Sequence, residues 1–167
     1  MQGRKYLVDW LRDAHAMEQQ AVAILERQVE RLQSYPELSL RIREHAIESR
    51  RQADQIEQCI HRLDGNTSAV KDAVGKVSAG FGALLGSTAP DEVVKDTLAN
   101  YAFEHFEIAC YRSLVAAAEA VGDVQTARVC ADILREEEAM AAWLADHVAE
   151  VTRAYMERDL AGLQAKR

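Results

Sequence analysis

The sequence predicts an all-α protein, a bundle of four long helices set as two antiparallel hairpins joined by a long crossover that contains a short helix. Three observations carry this. Helix-forming residues dominate a 167-residue chain with only 8 glycines and 2 prolines. Apolar residues recur at intervals of three and four through four long segments, the period of a helix with one buried face. Short turn-forming clusters punctuate the pattern at each end of the two halves. A chain of this length is expected to form one domain, residues 1–167, with a core of useful size.

The first helix is predicted over about 4–33, with Leu7, Trp10, Leu11, Ala14, Glu18, Ala21, Val22, Leu25 and Val29 on one stripe. Ser34 and Glu37 then have capping-box spacing, and Pro36 sits where a first helical turn tolerates proline. The second helix follows over about 35–63, with Leu38, Ile42, His45, Glu48, Gln52, Ile56 and Cys59 on one face, and Asp64-Gly65-Asn66 stops it. So short a joint folds the two back on each other. Residues 64–88 hold five of the eight glycines, with a short helix expected over about 68–76 and an apolar Phe81-Gly82-Ala83-Leu84-Leu85 stretch. That is too long for a turn and too apolar for a linker, so a strap running the length of the bundle is expected. The third helix is predicted over about 89–121, with Val94, Leu98, Tyr101, Glu104, Ile108, Tyr111 and Val115 in register. Gly122 ends it, and Asp123 caps a fourth over about 123–150 carrying Ala127, Cys130, Ile133, Glu137, Met140, Ala141, Leu144 and Val148. Beyond 151 the helix continues or frays, and the final Gln164-Ala165-Lys166-Arg167 reads as disordered.

Each helix carries one glutamate in its apolar stripe near mid-length: Glu18, Glu48, Glu104 and Glu137. At about 1.5 Å rise per residue, all four lie roughly 20–22 Å from their helix starts, so they are expected in one layer. A lone glutamate on such a stripe is usually a boundary residue whose head reaches water. Four at one depth would repel one another severely in a core, and a pair of divalent cations is the simplest compensation. Glu107, three residues after Glu104, can reach the same region, and His45 precedes Glu48 by the same interval. Gln52 follows Glu48 by one turn, and Tyr111 follows Glu107 by one turn; both are placed to hydrogen-bond a liganding side chain. By itself, His45 is as readily a hydrogen-bonded core histidine, and Tyr111 a packing residue. His15, His61, His105 and His147 read as rim or surface, and Glu136 and Glu138 as solvated acids. Oxygen-rich donors with one imidazole suit manganese or iron, and zinc less specifically. On this reading, neutralising Glu48 or Glu104 would weaken metal binding and relieve repulsion in the metal-free protein.

The net charge of −7 argues against a nucleic-acid binder, which needs a basic face. No run approaches the roughly 18 apolar residues of a membrane span, and the amino-terminal residues show no signal-peptide block. Cys59, Cys110 and Cys130 form neither a zinc pattern nor a disulfide framework, so a soluble protein of the reducing cytoplasm is expected.

The stretch Asp9-Trp10-Leu11-Arg12-Asp13-Ala14-His15-Ala16-Met17-Glu18, the Tyr35-Pro36-Glu37-Leu38 corner, His45-Ala46-Ile47-Glu48 with Gln52, Phe103-Glu104-His105-Phe106-Glu107-Ile108-Ala109-Cys110-Tyr111, and Glu136-Glu137 followed by Met140-Ala141 and Trp143-Leu144 resemble the ferritin-like superfamily. Within it the chain is similar to the YciE/YciF group of bacterial stress-associated proteins, most of all its YciE branch. The resemblance spans nearly the whole chain and implies a ferritin-like four-helix bundle with a di-iron or di-manganese site. The superfamily supplies single glutamates from two helices and Glu-x-x-His from the other two. Here Arg51 follows Glu48 and Met140 follows Glu137 at that spacing, and His45-x-x-Glu48 and Glu104-x-x-Glu107 stand in their place. The expectation is a homodimeric dinuclear metal protein acting on hydrogen peroxide or dioxygen during stress, catalase-like or oxidase-like. The alternative is a non-catalytic bundle for oligomerisation or partner binding, with a vestigial metal or none.

Overall fold

The computed structural model describes residues 2–63 and 89–165. Among these are four helices and no strand: α1 (Gln2–Val29), α2 (Pro36–Arg62), α3 (Glu92–Ala120) and α4 (Val124–Leu160). The expected short helix and apolar strap of 64–88 lie outside the described residues. α1 packs along α2 and α3 along α4, each pair a hairpin, and the hairpins then meet through α1 against α3 and α2 against α4. Ion pairs and hydrogen bonds give the direction of that seam. Tyr111 meets Glu18, Asn100 meets Gln28 and Asp96 meets Arg31, so α1 and α3 run antiparallel. Arg51 meets Glu136 and Arg62 meets Asp123, so α2 and α4 do too. No helix among the described residues is long and apolar enough to cross a membrane.

Three helices bury the stripes their periodicity predicts. Leu7, Leu11, Ala14, Ala21 and Leu25 of α1, Leu38, Ile42, Ile56 and Cys59 of α2, and Cys130, Ile133, Met140 and Leu144 of α4 are all buried. Trp10 departs from its stripe: it is 45% exposed and stacks on Tyr6. α3 keeps Glu104, Ile108 and Tyr111 of its expected stripe inward, with Val94, Tyr101 and Val115 packed on the core, and departs from it at Leu98. Leu98 is 51% exposed, while Val93, Thr97, Asn100, Phe103, Leu114 and Ala118 are buried with Glu104 and Tyr111. Over its first turns the inward side is largely polar, with Glu92, Asp96, Thr97 and Asn100, so apolar spacing could not mark it there.

The helix ends follow local chemistry. α1 stops before 33 because Arg31 and Leu32 bond back three residues, to Gln28 and Val29, tightening the chain toward Pro36. The expected capping box does not form: Tyr35 precedes α2 with no side-chain cap bond. The Ser34 hydroxyl is engaged elsewhere, accepting from Arg158 at 3.0 Å and donating to the Gln164 carbonyl at 3.5 Å. Between α3 and α4, Gly122 takes φ 77°, a left-handed conformation that glycine adopts without a Cβ penalty. Asp123 caps α4 by accepting from the Thr126 amide at 3.2 Å. α4 runs on to Leu160 because Val151 remains buried and Ala154 and Tyr155 still pack on the core. The expected fraying at Gln164-Ala165 is replaced by docking: the Tyr35 hydroxyl donates to the Ala165 carbonyl at 2.5 Å.

Candidate metal centre

Mid-height in the bundle, each helix turns an ionisable side chain inward: Glu18 from α1, His45 from α2, Glu104 and Glu107 from α3, and Glu137 from α4, all buried. The three-residue interval between Glu104 and Glu107 keeps both on one face, so α3 alone supplies two carboxylates. One donor atom from each of His45, Glu104, Glu107 and Glu137 lies within 4.8 Å of the others. His45 Nε2 stands 3.1 Å from Glu104 Oε1 and 3.7 Å from Glu137 Oε2. Neither contact has hydrogen-bond geometry, and Nε2 has no hydrogen-bond partner among the described residues. The same holds for one oxygen each of Glu18 and Glu104 and both oxygens of Glu107 and of Glu137. So many buried polar atoms without partners, facing one centre, are costly unless protons or a cation complete them.

Groups behind the cluster hold it in place. The antiparallel register of α1 and α3 sets the Tyr111 hydroxyl against Glu18 Oε1, to which it donates. Glu48 is not in the cluster; its side chain is 30% exposed and its Oε2 lies 3.0 Å from His45 Nδ1, with Arg41 on its outer side. A carboxylate there keeps the proton on Nδ1 and turns Nε2 to the centre, where a bound cation would take the place of the Nε2 proton. Gln52 is buried beside this layer and donates to Glu136 at 2.9 Å, which also pairs with Arg51. Arg51 is therefore turned to the surface, and Met140 is an apolar core residue. His15, expected at the rim, is buried, near Asp54 and Glu57 and apart from the cluster.

Electrostatics mark the cluster as strained without a cation. Burial pushes the Glu18 carboxyl up to about 8, against the opposing Tyr111 hydrogen bond. Burial, with neighbouring carboxylates, raises Glu107 and Glu137 well above the usual range. Burial alone would lower His45, but Glu104, Glu48 and Glu137 outweigh it and hold the imidazole well above its ordinary value. Tyr111 is likewise raised by burial and by Glu18. Glu48 moves oppositely, held down chiefly by its bond with His45 and further by Arg41.

Sequence reasoning passed over the polar layer next to the centre. Gln28 and Asn100 pair through both amide groups, at 2.8 and 3.2 Å, and Arg31 bonds Asp96 at 2.9 Å. The available signal was the four-residue recurrence of Glu92, Asp96, Asn100 and Glu104 along one face of α3.

Two antiparallel hairpins enclosing a mid-height carboxylate and imidazole cluster define a ferritin-like bundle with a site able to hold a metal. The chain belongs to the family described as Domain of unknown function (DUF892), which matches residues 2–157. This bears out the resemblance to the ferritin-like YciE/YciF group. A protein of Xanthomonas campestris pv. campestris of known crystal structure is similar at 37% identity and a TM-score of 0.80, over 95% of this chain and 99% of that one. The Escherichia coli stress protein YciF matches at 22% identity and a TM-score of 0.70, over 88% of this chain and 94% of its own. The Desulfovibrio desulfuricans bacterioferritin, described with a diiron site, matches at 20% identity and a TM-score of 0.72, over 91% and 83% of the two chains. At these last two identities the likeness is one of fold.

Proposed function

We propose that this chain, as one ferritin-like unit, binds two transition-metal ions, iron or manganese, and acts on hydrogen peroxide or dioxygen in a stress response. The observation that carries the reading is the buried set of partnerless donors on Glu18, His45, Glu104, Glu107 and Glu137. Those five residues would hold the ions, and four carboxylates with one imidazole suit iron or manganese above zinc. Bound metal would supply Lewis-acid and redox chemistry toward a small oxidant. The chain's own residues bind, orient and exclude water. Glu48 fixes the His45 tautomer, Tyr111 holds Glu18 by one oxygen and frees the other, and the buried Met17, Ile42 and Met140, each within three residues of a site member on its helix, would help exclude water. The diiron site of the bacterioferritin with the same fold supports the metal class, and the stress protein YciF the setting. A homodimer in the cytosol completes the reading.

A second reading, a non-catalytic bundle for oligomerisation or partner binding, draws on one observation. The raised Glu18, Glu107 and Glu137 carboxyls can take up protons in place of a cation. Elemental analysis of protein purified without chelator separates the two. Stoichiometric iron or manganese is expected, and lost on Glu107→Gln with Glu137→Gln. No metal, together with no thermal stabilisation by added iron, manganese or zinc, overturns the proposal.

A further inference from the structure

The Tyr35-Pro36-Glu37-Leu38 corner and the Trp143 turn of α4 stand out in the sequence, yet the metal centre uses neither. In the fold they face each other and enclose a pocket of about 200 Å³, open to solvent, at the end of the bundle where α1 gives way to α2. His147 in its wall lies ten residues beyond Glu137 on α4, about 15 Å along the helix axis, so this space is separate from the centre.

Part of the lining is apolar, with Leu38 and Val151 buried and Trp143 and Ala154 half-buried. The Ser34 and Tyr35 hydroxyls beside them are already engaged with Arg158 and the Gln164-Ala165 carbonyls. That leaves Glu37, Glu150 and the His147 imidazole. The His147 ring is fixed: it stacks on the Trp143 indole, with centroids 3.9 Å apart and planes 11° from parallel. Its Nδ1 lies 2.7 Å from the Trp143 carbonyl oxygen. A carbonyl only accepts, so Nδ1 carries a proton, and the neutral ring presents the lone pair of Nε2. At 3.5 Å, Nε2 faces Glu37 Oε1, a second acceptor. Two acceptors across such a gap call for a donor between them.

No lysine or arginine lines the pocket. Arg158, which reaches Ser34 at its edge, is held by that hydroxyl and by the Gln164 carbonyl. Arg41, one turn after Glu37, is turned to Glu44 and Glu48 instead. Exposed acids alone are well served by water, and the Glu37 side chain is 70% exposed. Here, however, the acceptors share a concave space with apolar walls, the arrangement of a small-molecule site. A metal ion suits it less: among the described residues only the His45 cluster gathers its donor atoms closely enough for one ion.

We infer that this pocket binds a small aliphatic amine, its ammonium head among Glu37, Glu150 and His147 Nε2 and its methylene stem along Leu38, Trp143, Val151 and Ala154. An ammonium brings three N–H donors to three acceptor groups and a charge opposite to the two carboxylates. The stem takes apolar wall out of water.

The full chain, isotope-labelled and followed by nuclear magnetic resonance, is titrated with pentylamine at pH 8, where an unperturbed imidazole is neutral and an aliphatic amine still charged. Saturable shifts are expected at the Leu38 and His147 amides and the Trp143 indole, with the Trp10 indole unmoved. Pentanol keeps the stem and loses the charge, and is expected to bind severalfold more weakly. Glu37→Gln with Glu150→Gln is expected to weaken pentylamine severalfold and leave pentanol unchanged, and Ala154→Leu to weaken both, with helix content retained. Equal binding of amine and alcohol overturns the inference, as does full amine affinity in the doubly neutralised variant. Zinc that moves these signals where pentylamine does not would make this a metal site and overturn it too. Tighter binding of Nα-acetyl-lysine methylamide than of pentylamine would assign the pocket to a lysine of a partner protein. Signals that move with protein concentration in place of amine would assign it to a second copy of the chain. Either result overturns a free amine as the occupant.

Discussion

Glu48 and Glu107 each stand three residues after another polar member of the site, yet their surroundings make them opposite in effect. Glu107 is wholly buried among Glu18, Glu104 and Glu137, and its charge is disfavoured. Glu107→Gln is therefore expected to stabilise chelated protein by about 1 kcal/mol while weakening metal uptake. Glu48 is held charged by His45 and Arg41 and is partly exposed. Glu48→Gln is expected to destabilise chelated protein by up to about 1 kcal/mol after solvent screening, and to lower metal affinity about 10- to 100-fold through the loosened His45. Calorimetry with and without chelator reads both, and equal signs in the metal-free protein would contradict the assignment. The pH dependence follows the same groups. Glu18 titrates near 8 when folded against 4.5 as its ordinary value, so the folded state binds the extra proton between them. That contribution is fully present below pH 4.5 and is lost as pH rises toward 8, and raised Glu107, Glu137 and His45 act in the same direction. Glu48 opposes them only at acidic pH, as its lowered carboxyl protonates. Melting temperature in chelator is expected to fall from pH 5.5 to 8, and a rise over that range would refute the buried-proton account.

At the level of the helix, the turn joining α3 to α4 concentrates several devices in a few residues. Asp123 accepts from the Thr126 amide and hydroxyl and from Arg62 of α2, so one carboxylate caps α4 and ties it to α2. Asp123→Ala is expected to cost about 1–2 kcal/mol with metal content unchanged, measured by denaturant titration beside elemental analysis. Gly122 has no neighbour crowding its Cβ position, so Gly122→Ala is expected to cost about 1 kcal/mol from the left-handed backbone alone. Such turns were legible because glycine and a capping acid announce them. α3 was read in phase at Glu104, Ile108 and Tyr111 but missed over its first turns: Asn100, Thr97 and Asp96 face inward, satisfied by Gln28 of α1, by backbone and by Arg31 just past α1, while Leu98 faces out. Where polar groups are buried against polar groups, no apolar stripe marks the inward face.

For the molecule as a whole, a straight helix converts residue number into height, so equal depth along four helices pointed to the buried level that Glu18, Glu104 and Glu137 share, though Glu48 stands outside it. Which way a side chain turns at that height was not legible in this way. His45 faces the centre and Glu48 the rim through the fit of α2 against its neighbours, which one helix's spacing does not encode. The docked Gln164-Ala165 tail likewise depends on Tyr35 and Ser34 at the far end of the chain. Filling the centre at metal concentrations near 100 times Kd is expected to add about 2.7 kcal/mol of stability. A melting temperature unmoved by saturating metal would contradict this. Each hairpin is a local assembly of neighbouring segments, whereas the proposed ligands come from both, Glu18 and His45 on one side and Glu104, Glu107 and Glu137 on the other. Local hairpins form fast, and contacts between distant segments come late. The proposed ligand set is therefore finished only when the two halves close. Ions would act as a latch set after the door is shut: they would slow unfolding and leave the folding rate almost untouched.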